Sequence, residues 1–417
     1  MIDAFPLTRE AALRRWREFL PRVTSYGARR NAVRPPHDDV SRLSPAIRFG
    51  LIRPEEIVRD TLDRHTLGRM EKWVQELCWR SYWKGWLEMR PQIWRSWRRR
   101  VHELHASLPE EQLARARQVS EGRSGVAVMD RFALELRQTG YLHNHARMWW
   151  ASFWIHAERL PWELGAEFFF QHLLDADPAS NLLSWRWVAG LQTAGKTYLV
   201  RRSNLERWCA PSLLADTTGL ERLEDGCVTA FVPRDHADLT RHPLTVLGPF
   251  CPPLKGRTGL WVHADDLCLE DSPLASCQPV TVAAFTSLST YRRLGLSEAR
   301  IQSIHTALTD GLTRAGAHLG CTTLLRDTDS TAQGLAEWVK AERLDAVVAL
   351  SPYVGPVADA LPSIRQALQD MNVPLHLLRR PWDDTLFPWA KSGFFPFWEK
   401  AGRWLAFQDS QPCLNLG

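Results

Sequence analysis

The sequence has no long apolar run and few features of a secreted protein. No stretch of about eighteen residues is both apolar and uncharged, which excludes a helix of membrane-spanning length. The opening MIDAFPLTREAALRRWREFL lacks an apolar core followed by a cleavage site, so no secretory signal is expected. The eight cysteines form no CxxC motif and no paired spacing. That scatter predicts reduced thiols in a cytoplasmic protein.

Metal motifs are also scarce. Cys209, Cys227 and Cys251 are open as ligands of a metal or cluster, but their spacing matches no metal motif. His143 and His145 have no cysteine nearby and are not four residues apart, so a zinc site on them is not expected. The sequence therefore predicts no metal.

Tryptophan and unevenly placed charge are what the sequence has in excess. There are 20 tryptophans in 417 residues, and 45% of the residues are apolar, as in a globular protein of about two domains. The net charge is +5, but residues 1–100 hold 22 Lys or Arg against 12 Asp or Glu. This basic segment indicates an anionic partner, either cofactor phosphates or a nucleic acid backbone. A solvated, arginine-rich helical surface is the alternative, and charge alone leaves both open.

Apolar periodicity changes along the chain. Residues 8–208 repeat apolar side chains every three or four positions, which predicts helices. From residue 258 onward, strand-length apolar runs such as GLWVHA, VTVAAFT and LDAVVALS alternate with helical patterns. We therefore predict an all-α domain at 1–209, a Pro-, Asp- and Thr-rich connector at 210–257, and a Rossmann-like parallel α/β domain at 258–417.

Three short motifs carry candidate chemistry, and each has an ordinary structural alternative. SRLSP, beginning at Ser41, suits an anion at a helix start or a simple serine cap. WVQELCWR places Glu76 beside tryptophans, as a proton-transfer group with a raised pKa or as a surface pair with Arg80. HNHARM, beginning at His143, crowds polar groups that suit a polar ligand or phosphate at a helix start.

Taken in order, these motifs resemble those of one family. VSRLSPAIRFGLIRPEE, WVQELCWRSYW, EGRSGVAVMDRFALELRQTGYLHNHARM and DADPASNLLSWRW, together with Tyr26 and KTYL, are similar to the flavin-binding catalytic domain of the photolyase/cryptochrome family. The four blocks occur in this order between residues 40 and 187. The resemblance implies non-covalently bound FAD and blue-light electron transfer.

The resemblance also assigns roles to particular residues. Arg147 matches an arginine that pairs with the first aspartate of DADP, and Asn181 matches the residue that faces flavin N5. Trp185 and Trp162 match the first two tryptophans of the family's photoreduction chain, whose third member is open between Trp94, Trp97, Trp149, Trp150 and Trp154. The residues implied to bind FAD are Tyr26, Val40, Ser41, Arg42, Leu43, Ser44, Trp73, Arg80, Arg147, Asp175, Ala176, Asp177 and Asn181. Those implied to contact a flipped pyrimidine dimer are Glu76, Trp79, Asn144, His145, Met148 and Trp187. The residues implied in catalysis are Glu76, Asn181, Trp185 and Trp162.

Two departures from the family pattern stand out. His145 lies where the repair enzymes typically carry an arginine, so an imidazole replaces a permanent cation near DNA phosphate. The α/β domain normally precedes the helical domain, whereas GLWVHADDLCLEDSPLA and FPWAKSGFFPFWEKAGRWL resemble its start and end at the C-terminal side. We interpret this as a circular permutation, with an unrelated α/β domain as the alternative. Both arginines of the family's strand motif are missing, so the antenna chromophore is unknown.

The function implied by the resemblance is a carbon–carbon lyase, a deoxyribodipyrimidine photolyase. Reduced flavin, excited by blue light, would donate an electron to a cyclobutane pyrimidine dimer in DNA. The alternative is a cryptochrome-like photoreceptor that signals to a protein partner without repair. A light-independent flavoprotein or a structural remnant is the third interpretation.

Overall fold

The computed structural model describes residues 5–193, 195–247, 254 and 256–409. Contacts divide the chain into two compact units. The first comprises Thr24–Arg42 and Arg90–Thr240, and the second comprises Phe5–Val23, Leu43–Met89 and the described residues from Arg241 onward. Within the described ranges, no helix has both the length and the apolar content needed to cross a membrane.

The described residues form helices throughout and one sheet near the C-terminus. The helices are α1 (Arg9–Phe19), α2 (Tyr26–Arg29), α3 (Ser44–Arg48), α4 (Pro54–Leu62), α5 (Leu67–Glu88), α6 (Gln92–Ser107), α7 (Glu110–Ser120), α8 (Ala127–Thr139), α9 (Asn144–Ser152), α10 (Trp162–His172), α11 (Pro178–Val188), α12 (Arg202–Trp208), α13 (Leu288–Arg293), α14 (Glu298–Leu319), α15 (Thr331–Glu342), α16 (Pro356–Asp359), α17 (Leu361–Gln369), α18 (Pro381–Leu386) and α19 (Phe394–Asp409). The strands are β1 (Thr258–Val262), β2 (Thr281–Thr286), β3 (Thr322–Asp327), β4 (Ala346–Leu350) and β5 (Leu375–Leu378).

The first unit is helical, with α2 and α6–α12. Helix α10 packs against α6, α7 and α11, which places the loop before α11 beside the core of this unit. Helix α11 begins at Pro178 directly after its cap Asp177, because proline fits the first helical position, where its missing N–H is not needed. Helix α9 continues into a wider turn at Phe153–Ala157 before α10 begins. Among the described residues before Thr258, strand-like pairing is limited to an isolated bridge between Val33 and Cys209.

The sheet of the second unit has five parallel strands in the order β3-β2-β1-β4-β5. This is the order of a doubly wound α/β fold, whose ligand crevice lies at the carboxyl ends of the two strands where the order reverses. Strands β1, β2 and β4 are buried along their whole length, whereas the edge strand β3 is largely exposed. Side chains of β1, β2 and β4 pack against α15 and α17 around Trp338. Helices on the sheet faces explain why the central strands are continuously apolar.

Ion pairs tie the N-terminal helices of the second unit to the loop that follows β1. Arg48 pairs with Asp265 at 3.0 Å, Arg53 pairs with Asp271, and the backbone N–H of Leu267 donates to the carbonyl of Phe49 at 2.9 Å. These contacts join segments about 220 residues apart in sequence, which explains why Leu43–Met89 groups with the sheet.

The predicted fold class, helices followed by a parallel α/β sheet, is confirmed. The runs GLWVHA, VTVAAFT and LDAVVALS become β1, β2 and β4, because continuous apolar character suits strands covered on both faces. One helical pattern of this region, VADALPSIRQALQDM, is divided into α16 and α17, with Pro362 in the first turn of α17. Phe5–Val23 and Leu43–Met89 group with the sheet, which was not predicted. The predicted domain limits and the permuted order stay predictions. Cys251 lies outside the described residues.

Candidate functional site

The predicted site residues fall on both units. Those of the first unit are Tyr26, Val40, Ser41, Arg42, Asn144, His145, Arg147, Met148, Trp162, Asp175, Ala176, Asp177, Asn181, Trp185 and Trp187. Those of the second unit are Leu43, Ser44, Trp73, Glu76, Trp79 and Arg80.

The loop before α11 holds two buried carboxylates in different environments. Asp175 is 4% exposed and accepts a hydrogen bond from Nη2 of Arg147 at 3.0 Å. Nε of Arg147 donates to the carbonyl of Leu142 at 2.7 Å, so the guanidinium is fixed from two sides. Asp177 caps α11 by accepting from the backbone N–H of Ser180 at 2.8 Å. The pairing of Arg147 with Asp175 that the resemblance implies is therefore present.

Other predicted ligands of the first unit carry polar groups suited to a cofactor. Nδ2 of Asn181 donates to the carbonyl of Ala166 at 2.9 Å, which fixes the orientation of this amide. Among the described residues, the buried Nε of Arg42 has no hydrogen-bond partner, and the distance from its Nη2 to Asp38 is 3.9 Å. Burial raises the pKa of Tyr26 to about 12, so its hydroxyl keeps its proton and can donate.

The SRLSP segment contains the helix start that the sequence predicts. Helix α3 begins at Ser44, and the residue before it, Leu43, makes no side-chain cap hydrogen bond. Arg42 has a φ of 54°, in the left-handed region that non-glycine residues rarely adopt. Leu43 therefore occupies the cap position of α3, and the chain turns at Arg42 just before it.

Trp185 is enclosed by aromatic rings. It is 2% exposed, meets Phe169 edge-on at 5.1 Å between centroids, and meets Trp150 edge-on at 6.2 Å. A Cβ at Gly165 would lie 2.3 Å from the indole of Trp185, so only glycine lets α10 approach this closely. The indole is therefore held by packing.

A second tryptophan, Trp97, contacts the backbone of the residue that follows Trp162. Nε1 of Trp97 donates to the carbonyl of Glu163 at 3.2 Å, and the rings of Trp97 and Trp94 are 5.1 Å apart. Trp94 and Trp97, two of the five candidates for the third chain member, lie on α6. Trp150 and Trp154, also left open, have centroids 5.2 Å apart and connect to Trp185 through Trp150.

His145 is held inside the first unit. Its Nδ1 lies 2.9 Å from the carbonyl of Asn31, its Nε2 lies 3.1 Å from the hydroxyl of Tyr198, and its ring stacks on Trp149 at 4.0 Å. Burial lowers the pKa of His145. The imidazole is therefore neutral at pH 7, and its predicted contact with DNA stays a prediction.

The pKa of His143 gives a prediction for acid stability. Burial, assisted by the nearby charges of His37, His145 and Arg147, lowers the pKa of His143 to about 3, against 6.5 in an unfolded chain. The unfolded chain therefore binds a proton that the folded chain rejects, and stability falls as the pH drops below 6.5. His143 accepts from the backbone N–H of His145 at 3.2 Å, and asparagine can replace that cap.

We expect His143→Asn to make the free energy of unfolding less dependent on pH, because it removes a group that binds a proton only when the chain unfolds. Between about pH 6 and pH 4, its free energy of unfolding should fall about 1.4 kcal/mol less per pH unit than that of the wild type. Urea unfolding at a series of pH values measures this slope. His102→Asn, which changes an exposed histidine of α6, is the control. Equal slopes for His143→Asn and the wild type would contradict the assignment.

In the second unit, two predicted site tryptophans of α5 have aromatic partners. Trp73 stacks on Trp16 at 5.8 Å and donates from Nε1 to the hydroxyl of Thr61 at 3.2 Å. Trp79 is half-buried and stacks face to face on Phe394 of α19, with centroids 3.7 Å apart and an interplanar angle of 7°. Phe394 therefore already covers one face of the ring that the resemblance assigns to substrate.

A cluster of charged groups that was not predicted from the sequence lies at the carboxyl ends of the strands. Arg380 forms two bonds to Asp266, at 2.5 and 2.8 Å, and the hydroxyl of Tyr353 donates to Asp383 at 2.7 Å. Burial raises the pKa of Glu88, which accepts from the backbone N–H of Val354, to about 7. Polar residues directly after strands, as in VHADD and LLRRPWDD, were the signal that could have found this cluster. The chain's own charged groups line the crevice, and the antenna chromophore stays unknown.

Residues 73–214 match the family model described as the FAD binding domain of DNA photolyase. The resemblance to the photolyase/cryptochrome family and the prediction of FAD as cofactor are therefore confirmed. The chain is similar to deoxyribodipyrimidine photo-lyases, at 36% identity over 171 residues for that of Streptomyces griseus and 36% over 197 residues for that of Thermus thermophilus. These alignments cover 38% and 45% of this chain but only 34% and 44% of the relatives, so the chain spans less than half of their length.

Two solved structures are also similar to this chain. A class III photolyase from Agrobacterium tumefaciens is 26% identical, with a TM-score of 0.41 over 48% of this chain and 42% of its own. A cryptochrome from Synechocystis is 21% identical, with a TM-score of 0.42 over 54% of this chain and 49% of its own.

Proposed function

We propose that this protein is a blue-light-driven flavoprotein of photolyase type that repairs cyclobutane pyrimidine dimers in DNA, as a deoxyribodipyrimidine photolyase. The observation that carries the proposal is the loop before α11, where Arg147 pairs with Asp175 and Asp177 caps the helix beside the buried Trp185. The match of residues 73–214 to a photolyase family model supports it.

The polar groups of the first unit fit FAD. Arg42 offers a buried guanidinium N–H to a phosphate, and Asp175 and Asp177 offer fixed carboxylate oxygens to hydroxyl and N–H groups. When bound, FAD would absorb blue light and exchange single electrons. Asn181, held by its bond to Ala166, would face the flavin ring. The contacts predicted for Ser44, Trp73 and Arg80 stay predictions.

The tryptophans of the first unit would supply electrons. Trp185 would give one up, and Trp162 would replace it. A soluble thiol would then return an electron to oxidised Trp162. The surrounding rings of Phe169 and Trp150 exclude water from Trp185 and hold it in one orientation.

A photoreceptor of the cryptochrome type is the second candidate, and two contacts favour it. The ring of His145 is neutral and engaged within the protein, so it supplies no charge to DNA phosphate. Phe394 covers one face of Trp79. In that case, the light-driven electron transfer would signal to a protein partner and no bond in DNA would break.

The absorption spectrum of the purified protein tests the function. Repair predicts flavin absorption that changes under blue light, and recovery of thymine absorption when dimer-containing single-stranded DNA is present. Photoreduction without recovery of thymine absorption would favour the photoreceptor. Protein that purifies without flavin and takes up none from an FAD solution would contradict both.

DNA binding should depend on both salt and the lesion. The excess of about ten positive charges in residues 1–100 and the exposed Asn144 motivate this expectation. Between about 50 and 200 mM salt, affinity should fall by at least about tenfold as counterions are released. Dimer-containing DNA should bind more tightly than intact DNA, because a damaged base costs less to unstack. Fluorescence anisotropy measures both effects, and binding that ignores salt and lesion would contradict repair.

A further inference from the structure

An ion pair between a buried arginine and a more exposed aspartate lies beside Trp162, and none of the predicted roles uses it. Arg186 stands between Trp185 and Trp187 in sequence and is 1% exposed. Its Nη1 and Nη2 donate to the two carboxylate oxygens of Asp235 at 2.9 and 2.6 Å. The centre of its guanidinium lies 6.0 Å from the ring centroid of Trp162. A guanidinium is therefore fixed near this ring, with a carboxylate bonded to it.

Asp235 belongs to the part of the connector, up to Thr240, that groups with the first unit. The backbone N–H of Phe231 donates to Nδ1 of His156 at 3.1 Å. Nε2 of Gln92 donates to the carbonyl of Thr240 at 2.6 Å. Asp235 also accepts from the backbone N–H of Ala237 at 3.0 Å, which orders the turn around its carboxylate. The carboxylate is therefore held in place and does not depend on Arg186 alone.

We propose that Arg186 and Asp235 are positioning residues that set how readily Trp162 gives up an electron. This inference rests on the proposed photoreduction through Trp162. When Trp162 passes one electron to oxidised Trp185, its ring becomes a cation until a soluble thiol returns an electron. A guanidinium 6.0 Å away disfavours that cation, and the carboxylate of Asp235 offsets the guanidinium.

A second carboxyl nearby does not replace Asp235. Glu163 follows Trp162 in sequence, is 7% exposed, and lies near the charges of Arg186 and Arg100. Burial raises the pKa of Glu163, whereas Asp235 accepts two hydrogen bonds from Arg186, which lowers the pKa of its carboxyl. Asp235 is therefore the main counterion of Arg186.

The two halves of the pair should act in opposite directions. Asp235→Asn leaves the guanidinium uncompensated and should slow photoreduction by about tenfold, whereas Arg186→Gln leaves the carboxylate and should speed it by several-fold, up to about tenfold. A merely structural pair predicts equal slowing in both variants. Asp238→Asn, in the same connector, is the matched control and should match the wild type.

The test has a readout that needs no flavin. Apo-protein is photo-oxidised with a ruthenium tris-bipyridine complex and persulfate, and oxidation products at Trp162 are quantified by peptide mass spectrometry. We call the fraction of all oxidation products that lies at Trp162 in the apo-protein the flavin-free share. It should fall in Asp235→Asn and rise in Arg186→Gln. Thermal unfolding of both variants shows that they are folded.

The outcomes separate this inference from the proposed function. Equal changes in both variants, or no change in the flavin-free share, would overturn the role of the ion pair. If Trp162→Phe leaves photoreduction unchanged while the flavin-free share shifts in opposite directions, the pair controls Trp162 and the proposed electron route is wrong.

Discussion

Trp185→Phe is expected to abolish most of the photoreduction while FAD stays bound. Phenylalanine is much harder to oxidise than tryptophan, so the rate of flavin reduction under blue light should fall at least about a hundredfold. The smaller ring keeps the edge-on contact with Phe169 but leaves space beside Gly165, at an expected loss of about 1–2 kcal/mol in stability. Time-resolved absorption under blue light measures the rate, and flavin content after gel filtration measures binding.

Trp338→Phe is the matched control, since it removes an indole that is 1% exposed in the sheet core of the second unit. It should photoreduce as the wild type does. Unchanged photoreduction in Trp185→Phe would show that electrons enter by another route, and the neighbouring Trp150 and Trp154 would be the next pair to replace.

Arg147→Leu is expected to destabilise the first unit strongly. It leaves the carboxylate of Asp175, 4% exposed, without its guanidinium, and breaking a buried pair from one side costs about 3–5 kcal/mol. Asp175→Asn should cost less, about 1–3 kcal/mol, because the side chain of Arg147 is 21% exposed and can reach water. Urea unfolding of both variants measures the difference, and flavin content reports the loss of FAD.

The double variant, Arg147→Leu with Asp175→Asn, separates the pair from its surroundings. It should recover part of the stability lost in Arg147→Leu, because no buried charge remains. Equal costs for the two single variants, with no recovery in the double variant, would show that Asp175 is not held as a buried charge.

The sequence predicted the parts of this protein that repeat locally. Helical spacing over residues 8–208 and apolar runs after residue 258 were sufficient for the helices, the five strands and the fold class. The ordered motifs, from VSRLS to DADP, were sufficient for the family and for FAD. Both depend on short stretches of chain, whose patterns survive without knowledge of the partner segments.

The tertiary structure alone decided which distant groups meet. The stacking of Trp79 on Phe394 and the pairing of Arg186 with Asp235 join residues far apart in sequence. The neutral state of His145 follows from its burial, which lowers the pKa of its imidazole. Periodicity says which side of a helix is apolar, but not which segment covers it. The electrostatic environment of each candidate residue therefore depends on long-range packing, which the sequence does not state.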